Sequence, residues 1–167
     1  MITAAEIIFR NTHGEGFLDW LLAELSSHLS IPVSRTEWRG FVLTIPQIHV
    51  ATSPVPLTIQ LNEAPDCVPA EITELADDLR VRMPEPQRVA LASLTARLEV
   101  MSATPVEPQL IPNAFSVEAS TYLDPSQPQV AQVLQVLAEL THGFTVDCIA
   151  GQILPPGASS WIPLSQS

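Results

Sequence analysis

Apolar residues recur at spacings of three and four along three segments of the chain, and this pattern predicts three helices. The first covers about 16–29 and ends before Pro32, because the residue that precedes a proline is pushed out of helical geometry. The second lies within 62–78, with Pro69 near its start, where a helix tolerates proline. The third is followed by Gly143, which we expect to be its C-terminal cap.

Alternation of apolar and polar residues with a period of two predicts the strands. They are expected at 6–10, 33–39, 41–45, 47–51, 57–61, 88–101, 115–122, 144–149 and 152–154. The segment 88–101 is ambiguous because its alanines suit a helix, but its strict alternation favours one long strand. Hairpin corners are expected at Arg39-Gly40 and at Ala150-Gly151.

Together these elements predict an α+β fold, in which a mainly antiparallel sheet of about five to seven strands carries two or three helices on one face. We expect a single α+β domain over 1–154, followed by a Pro-rich C-terminal tail at 155–167. The strand, helix and strand within 115–149 would form a local βαβ unit if the two strands are parallel neighbours.

Charge narrows the classes of partner. The chain has 167 residues, with 18 acids against 7 bases, all of them arginine, and a formal net charge of -11. The stretch 62–78 contains acidic residues but no base, and no base occurs in 98–167. Nucleic acid and anionic membrane are not expected as partners, because both are bound through positive charge. A negatively charged surface instead favours a basic protein partner.

The sequence carries no catalytic signature of the GxSxG, HExxH, GxGxxG or CxxC type, and we expect no cofactor. Cys67 and Cys148 are far apart and are expected as small core or half-buried residues. No apolar run is long enough to cross a bilayer, and the first residues lack a positive signal region. We therefore expect a cytoplasmic location.

The residues that remain for metal binding or acid–base chemistry are scattered along the chain. They are His13, Glu15, His49, His142 and Asp147. A zinc site needs three or four such groups to converge, usually with close sequence pairs among them. The spacing does not provide this pattern, so neither a metal site nor a catalytic residue is predicted. A small enzyme or metal-dependent hydrolase that uses these loop residues is kept as an alternative hypothesis.

The favoured hypothesis is a non-catalytic acidic binding module. Trp38 lies between Glu37 and Arg39 on a strand of alternating polarity, where an exposed tryptophan suits a binding surface. On the solvent side of the second helix we expect four acidic binding residues. They are Glu71, Glu74, Asp77 and Asp78.

In size and acidity the chain is similar to bacterial immunity proteins and to secretion chaperones, although no residue pattern matches one family. A further alternative is a structural subunit that forms a homodimer or a larger homo-oligomer through apolar edge strands and its tail.

Overall fold

The structure is a computed structural model, and it describes residues 3–102 and 125–165. This part of the chain forms one antiparallel sheet of eight strands, four α-helices and a turn of 3₁₀ helix at Gly14–Gly16. The strands are β1 (Thr3–Phe9), β2 (Val33–Arg39), β3 (Thr44–Val50), β4 (Leu57–Asn62), β5 (Ala96–Ser102), β6 (Phe144–Asp147), β7 (Gln152–Leu154) and β8 (Ile162–Pro163). The helices are α1 (Phe17–His28), α2 (Val68–Asp78), α3 (Glu85–Ala92) and α4 (Pro128–Thr141). The predicted α+β class is confirmed, with slightly more strands than expected.

The strand order is β2-β3-β4-β5-β1-β6-β7-β8, and all neighbours are antiparallel. Strand β1 lies between β5 and β6, and its residues from Ala5 to Ile8 have a partner on both sides. Ile7 is opposite Leu98 and Thr145, whereas Glu6 is opposite Glu99 on β5. Successive residues point to opposite faces of a sheet, so Ile7 and Glu6 mark its two faces.

Helices cover both faces of the sheet, which corrects the prediction that they share one face. Helices α1 and α4 pack on the face that carries Ile7 and Leu98, called here the α1–α4 face. Helices α2 and α3 pack on the opposite face against Ile8 and Phe144, called the α2–α3 face. The nearly continuous apolar run of β1 accounts for this arrangement, because both faces of the strand carry buried apolar side chains. Within 3–102 and 125–165, no helix combines the length and the apolar character needed to cross a bilayer.

The predicted strand at 41–45 is wrong for its first three residues. Arg39 ends β2 and pairs with Thr44, so residues 40–43 form the hairpin loop. The backbone N–H of Gly40 donates to the carbonyl of Leu43 at 2.8 Å and closes this loop. Phe41 is apolar yet fully exposed at the tip, because neither face of the sheet extends over a loop.

The predicted long strand over 88–101 is also wrong in its first part. Helix α3 occupies Glu85–Ala92, and β5 begins only at Ala96. Pro86 lies in the first turn of α3, where proline is pre-organised for a helix, and the alanines have high helix propensity. Leu91 is buried in the core between α3 and α2, and this tertiary contact favours the helix.

The C-terminal cap of α4 is His142 rather than the predicted Gly143. His142 has the left-handed φ of 53°, and its N–H donates to the carbonyl of Ala138. Gly143 is needed for a different reason, since a side chain there would collide with β1.

The predicted strand at 115–122, and with it the βαβ unit, lies outside the described residues. Strand β8 belongs to the segment predicted as a tail, and it pairs with β7 at the end of the sheet. The domain boundary at 154 stays a prediction.

Candidate functional site

A row of polar side chains crosses the α2–α3 face. Thr36 on β2 is opposite Gln47 on β3, and the Gln47 Nε2 donates to the Gln60 Oε1 on β4 at 2.9 Å. The Gln60 Nε2 then donates to the Glu99 Oε1 on β5 at 3.1 Å, and Glu99 is directly opposite Glu6 on β1. This polar row (Thr36, Gln47, Gln60, Glu99 and Glu6) spans five neighbouring strands. A hydrogen-bonded row of this kind holds each amide in one orientation.

Arg97 is the positive charge beside the row. Its guanidinium forms an ion pair with Glu71 of α2, and its Nε lies 3.7 Å from the Glu99 Oε2. The side chain is only 16% exposed, and its Nε has no hydrogen-bond partner in the described residues. Three carboxylates, those of Glu6, Glu71 and Glu99, therefore surround one arginine. We call these four residues the carboxylate cluster.

Electrostatics in the carboxylate cluster oppose full ionisation. Burial raises the pKa of Glu6 above its ordinary value of 4.5, Arg97 lowers it, and the charges of Glu99 and Glu71 raise it further. Desolvation acts to lower the pKa of Arg97, but the hydrogen bond to Glu71 and the nearby carboxylates raise it. The cluster can hold a proton on Glu6, whereas Arg97 stays charged.

Replacing Glu6 by glutamine is expected to stabilise the protein near pH 7 by roughly 0.2–1 kcal/mol, because two carboxylates directly opposite each other repel. The folded protein binds the Glu6 proton more tightly than the unfolded chain does, since the folded pKa is raised. Wild-type stability therefore falls as pH rises through the ordinary value of 4.5 and on through the raised folded pKa. The gain of Glu6→Gln should appear over this window and vanish below it.

Urea unfolding measured between about pH 4 and 8 checks this expectation. The control is Glu74→Gln, an exposed change on α2 that should alter stability by less than about 0.5 kcal/mol at each pH. A Glu6→Gln variant that is less stable than wild type near pH 7 would contradict the assignment.

Trp38 lies on the α2–α3 face and is 45% exposed. Its face follows from the register, because Trp38 is two residues from Thr36 and opposite Ile45. The indole ring lies against Gly40, where an added Cβ would come within 2.5 Å of it. The glycine thus lets the ring fold back on the hairpin, and the predicted exposure of this tryptophan is observed.

The four acidic residues of α2 are all exposed, but two of them have arginine partners. Glu71 pairs with Arg97, and Asp77 Oδ1 lies 3.1 Å from Arg80 and 3.6 Å from Arg88. Residues 62–78 contain no base, but in the folded protein arginines from 80–97 lie beside the acidic residues of α2. The other two acids have carboxylates without an ion pair in the described residues. These are Glu74 and Asp78.

The residues considered for metal binding do not converge. The ring of His13 stacks on Trp20 with 4.0 Å between the ring centroids, and His49 lies in β3. His142 ends α4, and Asp147 accepts two backbone N–H bonds from the β6–β7 turn at 3.0 and 2.9 Å. Among residues 3–102 and 125–165, no three His, Cys, Asp or Glu side chains are placed to hold a metal ion. His13, His142 and Asp147 thus have local structural roles.

The two cysteines are exposed, which corrects the expectation that they are core or half-buried. Although Cys148 is exposed as a residue, its thiol is partly desolvated, and this desolvation, together with the negative charges of Glu6 and Asp147, raises the pKa of the thiol to about 12. A thiol with this pKa is protonated at neutral pH and is a poor nucleophile.

A cavity of about 820 Å³ lies between α4, the β6–β7 hairpin and the turn before β8. Its apolar lining includes Leu134, Leu154 and Trp161, and His142 and Asp147 contribute polar groups. This volume is within the range of small-molecule sites. Sequence patterns could not indicate it, because three separate segments form its walls.

Comparisons with protein-family models, with curated proteins and with solved structures find no match for this chain. On its own geometry, the α2–α3 side is a surface of polar, acidic and aromatic side chains.

Proposed function

We propose that this protein is a non-catalytic binding module that holds a basic protein partner on its α2–α3 side. The supporting observation is that Trp38 and the unpaired carboxylates of Glu74 and Asp78 lie on the same side of the sheet. An exposed aromatic ring provides contact area, and free carboxylates provide attraction to a cationic partner. The predicted cytoplasmic location stays a prediction.

The chemistry of the partner follows from these groups. Glu74 and Asp78 are four residues apart on α2, so their carboxylates are neighbours on one helix surface. Two lysines or arginines at matching spacing would pair with them. Trp38 would need an apolar depression on the partner. Attraction between exposed charges is screened by salt, so binding should weaken at high ionic strength.

The enzyme alternative depends on a meeting of His13, Glu15, His49 and Asp147. These residues lie in the segment between β1 and α1, in β3 and at the end of β6, and they form no common site. The cavity beside α4 has Asp147 in its lining, but not His13, Glu15 or His49.

Removing the two free carboxylates tests the proposal. The double variant Glu74→Gln/Asp78→Asn is expected to bind a partner captured from native lysate about fivefold more weakly, because each exposed charge pair contributes less than about 1 kcal/mol. Titration at low and at high salt measures the affinity. Trp38→Ala should weaken binding as well, but without changing its salt dependence.

The matched control is Glu15→Gln/Glu24→Gln, which removes the same two charges at α1 and the turn before it. It should retain the wild-type affinity. Equal binding by the α2 double variant, or a partner that is insensitive to salt, would show that this surface does not hold the partner.

A further inference from the structure

Strand β2 is one edge of the sheet and pairs only with β3 in the part of the chain that the structure describes. The carbonyl of Pro32 accepts from the N–H of Ala51 at 2.9 Å, and the N–H of Gly40 donates to the carbonyl of Leu43 at 2.8 Å. Even-numbered residues of this strand therefore direct their backbone groups toward β3. Odd-numbered residues direct theirs outward, since the two sides alternate in an antiparallel pair. These are Val33, Arg35, Glu37 and Arg39.

This free edge spans seven residues and is regularly paired with β3. A row of unpaired N–H and C=O groups is a template for another strand. Its charged side chains change sign around Thr36, with Arg35 before it and Glu37 after it. The charges of a strand with this pattern are therefore complementary to those of a second, antiparallel copy of the same strand.

We propose that a second copy of this chain pairs with the first through β2, antiparallel, with the two-fold axis at Thr36. Arg35 then lies opposite Glu37 of the second copy, and Glu37 lies opposite Arg35 of the second copy. Val33 and Arg39 complete the set. All four outward residues of each strand thus enter hydrogen-bonded pairs, and two sheets of eight strands become one continuous sheet.

Registers that differ by one or two residues are excluded by charge or by backbone direction. A shift of two residues one way places Arg35 opposite its own copy, and a shift the other way places Glu37 opposite its own copy. Like charges directly opposite each other repel. A shift of one residue sets outward groups opposite inward groups and exchanges the faces of the second strand. A shift of four residues also sets opposite charges against each other, Glu37 against Arg39, but it pairs only two of the four outward residues. The register centred on Thr36 is favoured because it pairs all four.

The exposed residues of the β2–β3 hairpin tip also favour a second copy of the chain as the partner. Phe41 and Val42 are fully exposed at the tip of the β2–β3 loop. In the proposed register the loop extends past the start of β2 in the second copy, where Phe41 is opposite Ile31 and beside Pro32 of that copy. An apolar tip without a neighbour in its own chain gains one in the dimer. Trp38 also lies on β2, but the dimer uses the outward backbone edge of β2 and none of the α2 carboxylates, so the inference does not depend on the proposed function.

Charge exchange tests the dimer and its register together. Wild type is expected to be a dimer in analytical ultracentrifugation. Arg35→Glu alone and Glu37→Arg alone should each weaken dimerisation roughly tenfold or more. Each substitution places like charges opposite each other at both of the symmetry-related 35–37 pairs. An equimolar mixture of the two variants should recover the wild-type affinity as a heterodimer, because opposite charges then face each other at both positions.

Glu37→Pro gives an independent test that does not change the fold of the hairpin. Residue 37 directs its N–H outward, so proline removes an intermolecular hydrogen bond and keeps those between β2 and β3. This variant should be monomeric with a wild-type circular dichroism spectrum. A wild type that stays monomeric over a wide concentration range overturns the proposal. So does a dimer that Glu37→Pro leaves intact, or a mixture of the charge variants that fails to pair. The Glu74→Gln/Asp78→Asn variant should dimerise like wild type.

Discussion

Gly143→Ala is expected to destabilise the protein by about 3 kcal/mol, because the added methyl group has no space. A Cβ at this position would lie 2.7 Å from the Ile7 Cγ2, 2.8 Å from the Ile8 carbonyl oxygen and 2.9 Å from the Thr141 Oγ1. Two of these contacts are with β1. This strand is hydrogen-bonded between β5 and β6, so moving it would break backbone hydrogen bonds. The strain is steric, since His142 already supplies the left-handed residue that ends α4.

Urea unfolding at constant pH measures the loss. The matched control is Gly16→Ala, where a new Cβ meets nothing within 4 Å and the backbone φ of -80° suits alanine. That change should alter the free energy of unfolding by no more than about 1 kcal/mol in either direction. If Gly143→Ala lies as close to wild type as the control does, α4 and β1 must be able to separate.

Helices α1, α2 and α4 could be predicted from local sequence because their signals are local. The leucine stripe of α1 and the proline that begins α2 act within a few residues of themselves. The two wrong strand assignments depended on distant partners instead. The run after Gly40 has the composition of a strand, but β3 begins only at Thr44, opposite the end of β2. Similarly, the alanines at 90 and 92 are compatible with both a helix and a strand. The packing of Leu91 against α2 decides for the helix.

The candidate site divides in the same way. The exposure of Trp38 and of the α2 acids could be predicted, because each belongs to one element with a clear period. The polar row could not, since its members come from strands that are neighbours in space but distant in the chain. Its key contact joins β1 to β5, whose residues are more than 80 positions apart. The strand order places Glu6 opposite Glu99, and no local pattern contains that order.

Arg97→Leu is expected to destabilise the protein by about 2–3 kcal/mol near pH 7, because it leaves three carboxylates in the carboxylate cluster without their positive charge. Breaking a fully buried pair costs somewhat more, and Arg97 retains 16% exposure. The loss should shrink on acidification. Arg97 is the group that lowers the pKa of Glu6, so its removal raises that folded pKa further. In the folded variant, Glu6 then keeps its proton above the ordinary pKa of 4.5. The destabilisation caused by Arg97→Leu therefore fades as the pH falls through the raised pKa of Glu6.

A triple variant separates charge from packing. Arg97→Leu combined with Glu6→Gln and Glu99→Gln removes the arginine and the two carboxylates beside β5, and only the exposed Glu71 of the carboxylate cluster is kept, at the solvent side of α2. Replacing buried charges together is often neutral, whereas removing one partner is not. The triple variant should therefore recover most of the lost stability near pH 7 in urea unfolding. If instead the single variant loses the same free energy at every pH, and the triple variant recovers none, then Arg97 stabilises the sheet through its aliphatic stem. In that case the cluster would hold no electrostatic strain for a proton to relieve.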